Sequence, residues 1–142
     1  HAFEFGKPKV KELNFSFSGL KTSIMRLIQK GVAENPNFIA ENLEDLCASI
    51  QHSIISILLK KLETAIQKTS ITQIAIAGGV SANSYLRSQL EQLATNKKYK
   101  LYIPKPKYCT DNAAMIAIAG YYKYLDADFA DQSETPSARL LF

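Results

Sequence analysis

The sequence contains few of the residues from which metal sites and covalent catalytic sites are usually built. Its 142 residues include two cysteines, two histidines and no tryptophan. Cys47 and Cys109 do not form a CxxC pair, which argues against a disulfide framework or a cysteine-ligated zinc site. No Ser-His-Asp or Cys-His arrangement can be assembled, so the residues do not support a nucleophilic hydrolase.

Long hydrophobic runs are also absent. The longest run of low polarity, residues 113–122, is shorter than the roughly 20 residues that span a bilayer. No N-terminal segment has the residue order of a signal peptide. We therefore expect a soluble protein of the cytoplasm, where unpaired cysteines persist. Because the first residue is His1 rather than Met, we expect the sequence to be an excised piece of a longer protein.

The composition is that of an ordinary folded domain with a moderately basic surface. Hydrophobic residues make up 46% of the chain, and 17 Lys and Arg against 13 Asp and Glu give a formal charge of +4. This charge suits a polyanionic partner such as a nucleic acid without requiring one. The lysines are concentrated in two segments, which contain Lys7, Lys9 and Lys11, and Lys97, Lys98, Lys100, Lys105 and Lys107.

The first half of the chain is predicted to be mostly helical. Residues 1–18 are predicted to form an extended arm or an edge strand, because polar and aromatic residues alternate over 14–18. A helix follows and ends near Gly31. After a break at Asn35 and Pro36, apolar spacing from Leu43 to Ile66 predicts one long helix. Its other face is interpreted as a solvated surface without chemistry: Glu41, Glu44, Asp45, Gln51, Lys60, Lys61 and Glu63.

The second half predicts a parallel pair of strands joined by a helix. The apolar run within 71–77 is typical of a strand covered on both faces. A helix from about Ser81 buries Leu86, Leu90 and Leu93, and a second strand covers residues 100–103. Thr110 is the predicted N-cap of a last helix that is apolar nearly all round, so we expect it to lie inside the molecule or against another domain. Residues 126–142 are predicted to form a C-terminal tail.

A Gly-Gly pair follows the first predicted strand. Gly78 and Gly79 remove the side chains that would keep a ligand from the backbone, and the N–H groups at a helix start favour a phosphate or carboxylate. Asn83 adds an amide that both donates and accepts. The alternative is a tight turn in which the glycines supply unusual dihedrals and Ser81 caps the helix. The motif is neither a P-loop nor a GxGxxG fingerprint.

A second candidate site follows the other strand, at Thr110, Asp111 and Asn112. Ligands of open α/β sheets bind at the carboxyl ends of the strands, so this loop and the Gly-Gly turn should lie at the same edge. The alternative is that Asp111 only caps the helix or interacts with its dipole. One aspartate cannot form a metal site, and His52 beside the apolar stripe of the long helix is interpreted as a packed or surface residue.

A third candidate is the segment Phe-Ser-Phe-Ser-Gly-Leu-Lys-Thr at residues 15–22. Its aromatic rings could stack on bases, and Lys21 could contact phosphate. The alternative is that Phe15 and Phe17 are core residues of a short strand and Ser18 is a helix cap. Both interpretations remain open from the residues alone.

These segments together resemble the TsaD family, whose older name is O-sialoglycoprotein endopeptidase or glycoprotease. Residues 15–22, 78–87 and 109–117 carry the resemblance, which extends from about residue 3 to about residue 124. The resemblance implies an α/β fold of the actin-like ATPase group, which includes sugar kinases and Hsp70 and has a ribonuclease H-like fold. A small parallel or mixed sheet would pack against helices. The chain would be the single C-terminal lobe, residues 1–142, of a two-lobe enzyme.

The resemblance also implies a reaction. Members of the family transfer threonylcarbamoyl from threonylcarbamoyl-adenylate to the adenosine next to the anticodon of tRNA. By the same resemblance, Asn83 contacts the adenylate and Gly78 and Gly79 form the close backbone approach. Ser18 and Lys21 are candidate contacts to tRNA or to the other lobe. A paralogous TsaB-like subunit and a TsaE-like small ATPase are the partners expected for a bacterial member, and no membrane is expected to be involved.

A divalent metal ion, iron or zinc, is the cofactor that the resemblance implies. Asp111 would be one ligand and would act through the metal, which would serve as a Lewis acid. The other ligands are histidines of a HisxxxHis motif in the first lobe, and this sequence contains no such motif. We therefore expect the chain to be inactive alone. Two alternatives stay open, a metal-dependent O-sialoglycoprotein endopeptidase and a non-catalytic interaction module, although the sequence lacks the HExxH motif of many metalloproteases.

Overall fold

The computed structural model describes residues 2–6 and 10–135 of the chain. The predictions made for His1, Lys7, Lys9 and the last seven residues of the tail lie outside this range. The helices and strands of the described residues are α1 (Phe17–Glu34), α2 (Phe38–Glu41), α3 (Leu43–Thr69), β1 (Gln73–Ala75), α4 (Ser84–Lys97), β2 (Lys100–Tyr102) and α5 (Ala113–Leu125). Short 3-10 turns occupy Gly79–Ala82 and Pro106–Tyr108.

The described residues form two compact units where the sequence predicted a single lobe. The first, here called the sheet unit, contains the described residues up to Ala75 together with Asn83–Tyr102. The second, the turn unit, contains Ile76–Ala82 together with the described residues from Ile103 onward. The sheet unit therefore holds α1 to α4 and both strands, whereas the turn unit holds α5 and both 3-10 turns. That the two belong to one lobe of a longer enzyme stays a prediction.

The predicted parallel strand pair is confirmed in the sheet unit. β1 and β2 run parallel, with Ile74 opposite Leu101 in the register, and α4 connects them as the crossover that parallel strands require. The prediction that the first strand is covered on both faces is wrong for the described chain, because Ile74 is buried while Gln73 and Ala75 are exposed. Since successive side chains of a strand point to opposite faces, only one face of β1 is covered here.

The core of the sheet unit is formed by apolar side chains from several helices and β1. The buried set is Phe5 of the N-terminal segment, Leu20 of α1, Leu46, Ile55 and Ile66 of α3, Ile74 of β1, and Leu86, Leu90 and Ala94 of α4. The predicted buried stripe of α4 is thus right for Leu86 and Leu90, whereas Ala94 rather than Leu93 completes it. The predicted long helix begins at Leu43, because the chain turns at Asn42, whose side-chain amide donates to the Phe38 carbonyl at 2.9 Å.

The N-terminal segment is an arm, and the described part of residues 1–18 contains no strand. The helix predicted after it begins earlier and ends later, at Phe17 and Glu34, so Ser18 lies inside α1 and is not its cap. Phe15 and Phe17 are not core residues, since both are exposed and stack on each other with ring centroids 5.6 Å apart. The arm is held to the helices by hydrogen bonds, including one from the Gly6 N–H to Ser23 Oγ at 2.8 Å.

The last helix, α5, has no buried residue. Ile116 is 77% exposed, and Ile118, Tyr121 and Tyr122 are also exposed. The described chain does not cover this apolar surface, so its expected place inside the molecule or against another domain stays a prediction. Among the described residues no helix combines the length and the apolar character needed to cross a membrane.

Gly31 is a position where an added methyl group should be destabilising. Replacing glycine by alanine inside a helix usually stabilises it by about 1 kcal/mol. A methyl built on Gly31, however, lies 2.5 to 2.7 Å from three ring carbons of Phe38, and that ring packs edge-on against Phe3 at 5.8 Å. We expect Gly31→Ala to cost about 1–3 kcal/mol through overpacking, measured as a lower urea midpoint.

Gly120 of α5 provides the matched control. It is also helical, and a methyl added there meets no atom within 4 Å. Gly120→Ala should therefore leave the stability of the chain unchanged or raise it slightly. A Gly31→Ala variant as stable as Gly120→Ala would show that Phe38 moves aside without cost.

Candidate functional site

The Gly-Gly turn lies in the turn unit and leaves the backbone open on one side. Gly78 has a φ of +81°, in the left-handed region that favours glycine. A Cβ atom added to Gly78 or to Gly79 would meet no heavy atom within 4 Å. The turn therefore has space beside both glycines, and the close approach of a ligand to this backbone stays a prediction.

Ser81 stabilises this turn and does not cap the following helix. Its side chain is buried, its Oγ donates to the Gly78 carbonyl at 2.7 Å, and its N–H donates to the same oxygen at 3.0 Å. The helix predicted from about Ser81 is therefore present but begins later than predicted. Residues 79–82 form a 3-10 turn, and α4 begins at Ser84.

Asn83 is the N-cap of α4, whereas the alternative interpretation of the sequence placed Ser81 in that role. Its Oδ1 accepts the backbone N–H of Leu86 at 2.9 Å, which satisfies one of the unpaired donors of the first turn. Its Nδ2 donates to Gln51 Oε1 of α3 at 3.1 Å. Each of its two amide atoms thus makes one hydrogen bond and retains one further N–H or lone pair.

Gln51 is a residue that the sequence analysis missed. It was assigned to the solvated face of the long helix, and it is indeed exposed, but its side chain contacts the candidate ligand-binding residue Asn83. No signal in the sequence distinguishes Gln51 from the other polar residues of α3. Lys61 was treated in the same way, and it donates hydrogen bonds to the backbone carbonyls of Val10 and Glu12.

Asp111 lies in the turn unit, directly before the cap of α5. The predicted cap Thr110 is wrong, since Asn112 is the N-cap and its Oδ1 accepts the Met115 N–H at 3.2 Å. Asp111 is exposed, and within the described residues no hydrogen bond or ion pair joins its side chain to another residue. The carboxylate is thus not used as a cap and is available to a ligand.

The described residues do not form a metal site by themselves. No group of three or more His, Cys, Asp or Glu side chains comes together among residues 2–6 and 10–135. His52 is half-buried and its Nδ1 lies 3.0 Å from the Tyr85 hydroxyl, which confirms the packed role predicted for it. Cys47 is exposed, whereas Cys109 is buried and its Sγ lies 3.6 Å from the Lys105 carbonyl oxygen.

Ser18 and Lys21 line a cavity of about 420 Å³ in the sheet unit. The remaining lining is apolar and comes from α1 and α3: Phe17, Leu20, Ile24, Met25 and Ile54. The Ser18 carbonyl accepts the Thr22 hydroxyl at 3.0 Å. An apolar wall with a single lysine suits a protein side chain better than a phosphate, which favours a contact between lobes over a tRNA contact.

Two ionisable groups in the turn unit have shifted pKa values, and neither belongs to a predicted site. The hydrogen bond with Asp128 and the attraction of its carboxylate raise the pKa of Lys123. Hydrogen bonds from the hydroxyl and backbone N–H of Ser133 lower the pKa of Asp131. Both groups are fully exposed, so these interactions contribute little to stability.

The predicted site residues are divided between the two units. Gly78, Gly79 and Asp111 all belong to the turn unit, and the expectation that their two loops share an edge stays a prediction. Asn83 belongs to the sheet unit. Its proximity to Asp111 across a shared crevice stays a prediction.

A parallel β-α-β pair whose strands lead into glycine-rich or capped loops is the arrangement of ligand-binding α/β proteins. Comparison with known sequences gives the family. The chain belongs to the TsaD family, since the family's sequence model, described as tRNA N6-adenosine threonylcarbamoyltransferase, matches residues 1–118.

Curated relatives of the same name are similar over nearly the whole chain. A tRNA N6-adenosine threonylcarbamoyltransferase of Christiangramia forsetii is 54% identical over 99% of this chain and 42% of its own length. Proteins of that name from Cytophaga hutchinsonii and Porphyromonas gingivalis are 49% and 50% identical, each over 98% of this chain and over 40% and 41% of their own lengths. The chain therefore spans about two fifths of the length of these relatives.

Proposed function

We propose that this chain is the C-terminal part of a tRNA N6-adenosine threonylcarbamoyltransferase. The whole enzyme moves threonylcarbamoyl from threonylcarbamoyl-adenylate to the adenosine next to the anticodon. The observation that carries the proposal is the match of 98–99% of the chain to three curated proteins of that name. None of the three is named as a peptidase, which favours the transferase over the endopeptidase alternative.

The proposed reaction is an acyl transfer that needs no nucleophilic side chain. The N6 amine of adenosine attacks the carbamoyl carbon, the bond between that carbon and the adenylate oxygen breaks, AMP leaves, and the amine loses a proton. The chain's part is to bind the adenylate. The open backbone at Gly78 and Gly79 supports this role, as do the second N–H and second lone pair of the Asn83 amide.

We propose that Asp111 contributes one ligand to a divalent iron or zinc ion. Its exposed carboxylate is a donor that both metals accept, and two histidines with one carboxylate form a common ligand set. The proposed histidines are those of the HisxxxHis motif in the first lobe, and the described residues contain no group of three His, Cys, Asp or Glu side chains that could hold a metal. When bound, such an ion polarises oxygen atoms of the substrate.

The proposed tRNA substrate is consistent with the charge of the chain. Lys97, Lys98 and Lys100 follow one another at the end of α4 and the start of β2, and all three are exposed. A run of cations of this kind suits the phosphates of RNA. The TsaB-like subunit and the TsaE-like ATPase remain proposed partners in the cytoplasm.

The proposed architecture is the second lobe of an actin-like fold. The parallel sheet of the sheet unit supports an α/β lobe of this kind. The apolar residues of α5 are exposed, and apolar surface of this kind marks an interaction site. This supports the proposal that another part of the enzyme packs against α5.

The full-length enzyme provides the test of the proposed function. Incubated with threonylcarbamoyl-adenylate, it should modify a tRNA that has adenosine next to the anticodon. The matched control is the same tRNA with guanosine at that position, which lacks the N6 amine and should stay unmodified. Release of peptides from a sialoglycoprotein without modification of tRNA would support the endopeptidase instead.

A further inference from the structure

The start of α4 is attached to α3 by two neighbouring residues. Gln51 Oε1 accepts the side-chain N–H of Asn83 at 3.1 Å. The next residue, His52, lies with its Nδ1 3.0 Å from the Tyr85 hydroxyl. Positions 83 and 85 are the cap and the second residue of α4, so both contacts act on its first turn.

The two hydrogen bonds of Asn83 together determine the orientation of its amide. The bond from the Leu86 N–H requires the amide oxygen on that side, because only oxygen accepts. With that hydrogen bond alone, the amide plane of Asn83 could still rotate about the Cβ–Cγ bond. The second bond, to Gln51 Oε1, fixes the plane.

We propose that Gln51 is the positioning residue for Asn83. By fixing the amide plane it directs the second N–H and the second lone pair of Asn83 at the adenylate. Gln51 itself need not touch the ligand. This inference rests on the proposed function, in which Asn83 binds the adenylate.

Gln51, an exposed polar residue of α3, contributes to the proposed adenylate site by setting the orientation of Asn83. A side chain whose orientation is set before the ligand arrives loses less conformational entropy on binding. α3 is a suitable support, because it is 27 residues long and buries Ser49, Ser53 and Ile55 next to this position.

The test compares AMP affinity among variants of the full-length enzyme. Gln51→Met keeps the length and helix preference of the side chain and removes its amide, including the oxygen that accepts from Asn83. We expect its affinity for AMP to fall roughly two- to tenfold, the effect of losing one ordinary hydrogen bond. Gln89→Met is the matched control, because the Gln89 amide donates to Gln92 of the same helix at 3.3 Å. The AMP affinity of this variant should be unchanged.

A double variant separates positioning from direct contact. If Gln51 acts through Asn83, then Gln51→Met combined with Asn83→Ala should bind AMP no more weakly than Asn83→Ala alone. Gln51→Glu retains an acceptor, so the side-chain amide proton of Asn83 that is donated to position 51 should keep its downfield NMR shift in this variant and lose it in Gln51→Met. If Gln51 had only a structural role, Gln51→Met would lower the thermal midpoint of the enzyme. The NMR signals of the enzyme saturated with AMP would then be unchanged.

The outcomes also distinguish this inference from the proposed function. Unchanged AMP affinity in Asn83→Ala would remove Asn83 from the proposed nucleotide site. Weaker binding in Asn83→Ala, with Gln51→Met equal to Gln89→Met, would overturn the positioning role and leave the proposed function standing. Additive losses in the double variant would show that Gln51 acts independently of Asn83, which also overturns the proposal.

Discussion

The 142-residue chain alone is expected to transfer no threonylcarbamoyl to tRNA above background. It spans 40–42% of the length of three curated relatives, and no three His, Cys, Asp or Glu side chains come together in its described residues, whereas a metal site needs several ligands. The assay is incorporation of labelled threonine into tRNA from threonylcarbamoyl-adenylate, with the full-length enzyme measured in parallel.

Two controls are needed for this negative result. Circular dichroism should show a folded helical chain, and the oligomeric state should be measured, since the exposed apolar residues of α5 favour self-association. Adding the remaining part of the enzyme as a separate polypeptide should restore transfer. Turnover by the chain without that addition would refute the division of the site between two parts of the enzyme.

Helix positions were predicted from the sequence more accurately than helix caps. The apolar spacing of α3, α4 and α5 is a property of each helix, and it identified all three. The caps were misassigned to Ser81 and Thr110 in place of Asn83 and Asn112. Ser, Thr and Asn are all good N-caps, so a local sequence that contains two of them does not determine which one is used. The backbone decides, because Ser81 is already held in the 3-10 turn by Gly78.

The contacts between elements were the least predictable feature. Gln51 and Asn83 are 32 positions apart, and their hydrogen bond depends on how α3 and α4 pack. The same holds for the exposure of Gln73 and Ala75 in β1, because an apolar run alone does not show which faces of a strand are covered. Sequence reasoning therefore found Gly78, Gly79 and Asn83 as candidates but not the residue that holds Asn83.

The division into two units could not be predicted because it does not follow the order of the chain. The polypeptide passes between the units after Ala75, Ala82 and Tyr102. Gly78 and Gly79 follow the first of these points and Pro104 and Pro106 follow the third, but such residues also end ordinary strands, so they do not by themselves indicate a boundary between units. The crossings do coincide with the ends of β1 and β2 and with the start of α4, so the loops that leave the strands are the segments that carry Gly78, Gly79 and Asp111.

Replacing Asp111 by asparagine in the full-length enzyme is expected to reduce transfer by at least about 100-fold. Substitutions of residues that only support metal ligands already cost about 10–100-fold, and a ligand should cost no less. Asparagine has the same shape and lacks the charge that attracts a divalent cation. Because Asp111 is exposed and does not cap α5, the fold should be unaffected. Metal content of the purified protein, measured by mass spectrometry, should fall together with activity.

Asp126→Asn is the matched control, because Asp126 is another exposed aspartate of the turn unit, at the opposite end of α5. It should retain both metal and activity. Loss of activity in Asp111→Asn with the metal retained would mean that the carboxylate acts on the substrate directly. If Asp111→Asn retained both the metal and the activity, Asp111 would not belong to the site. The loop after β2 would then only start α5, with Asn112 as its cap.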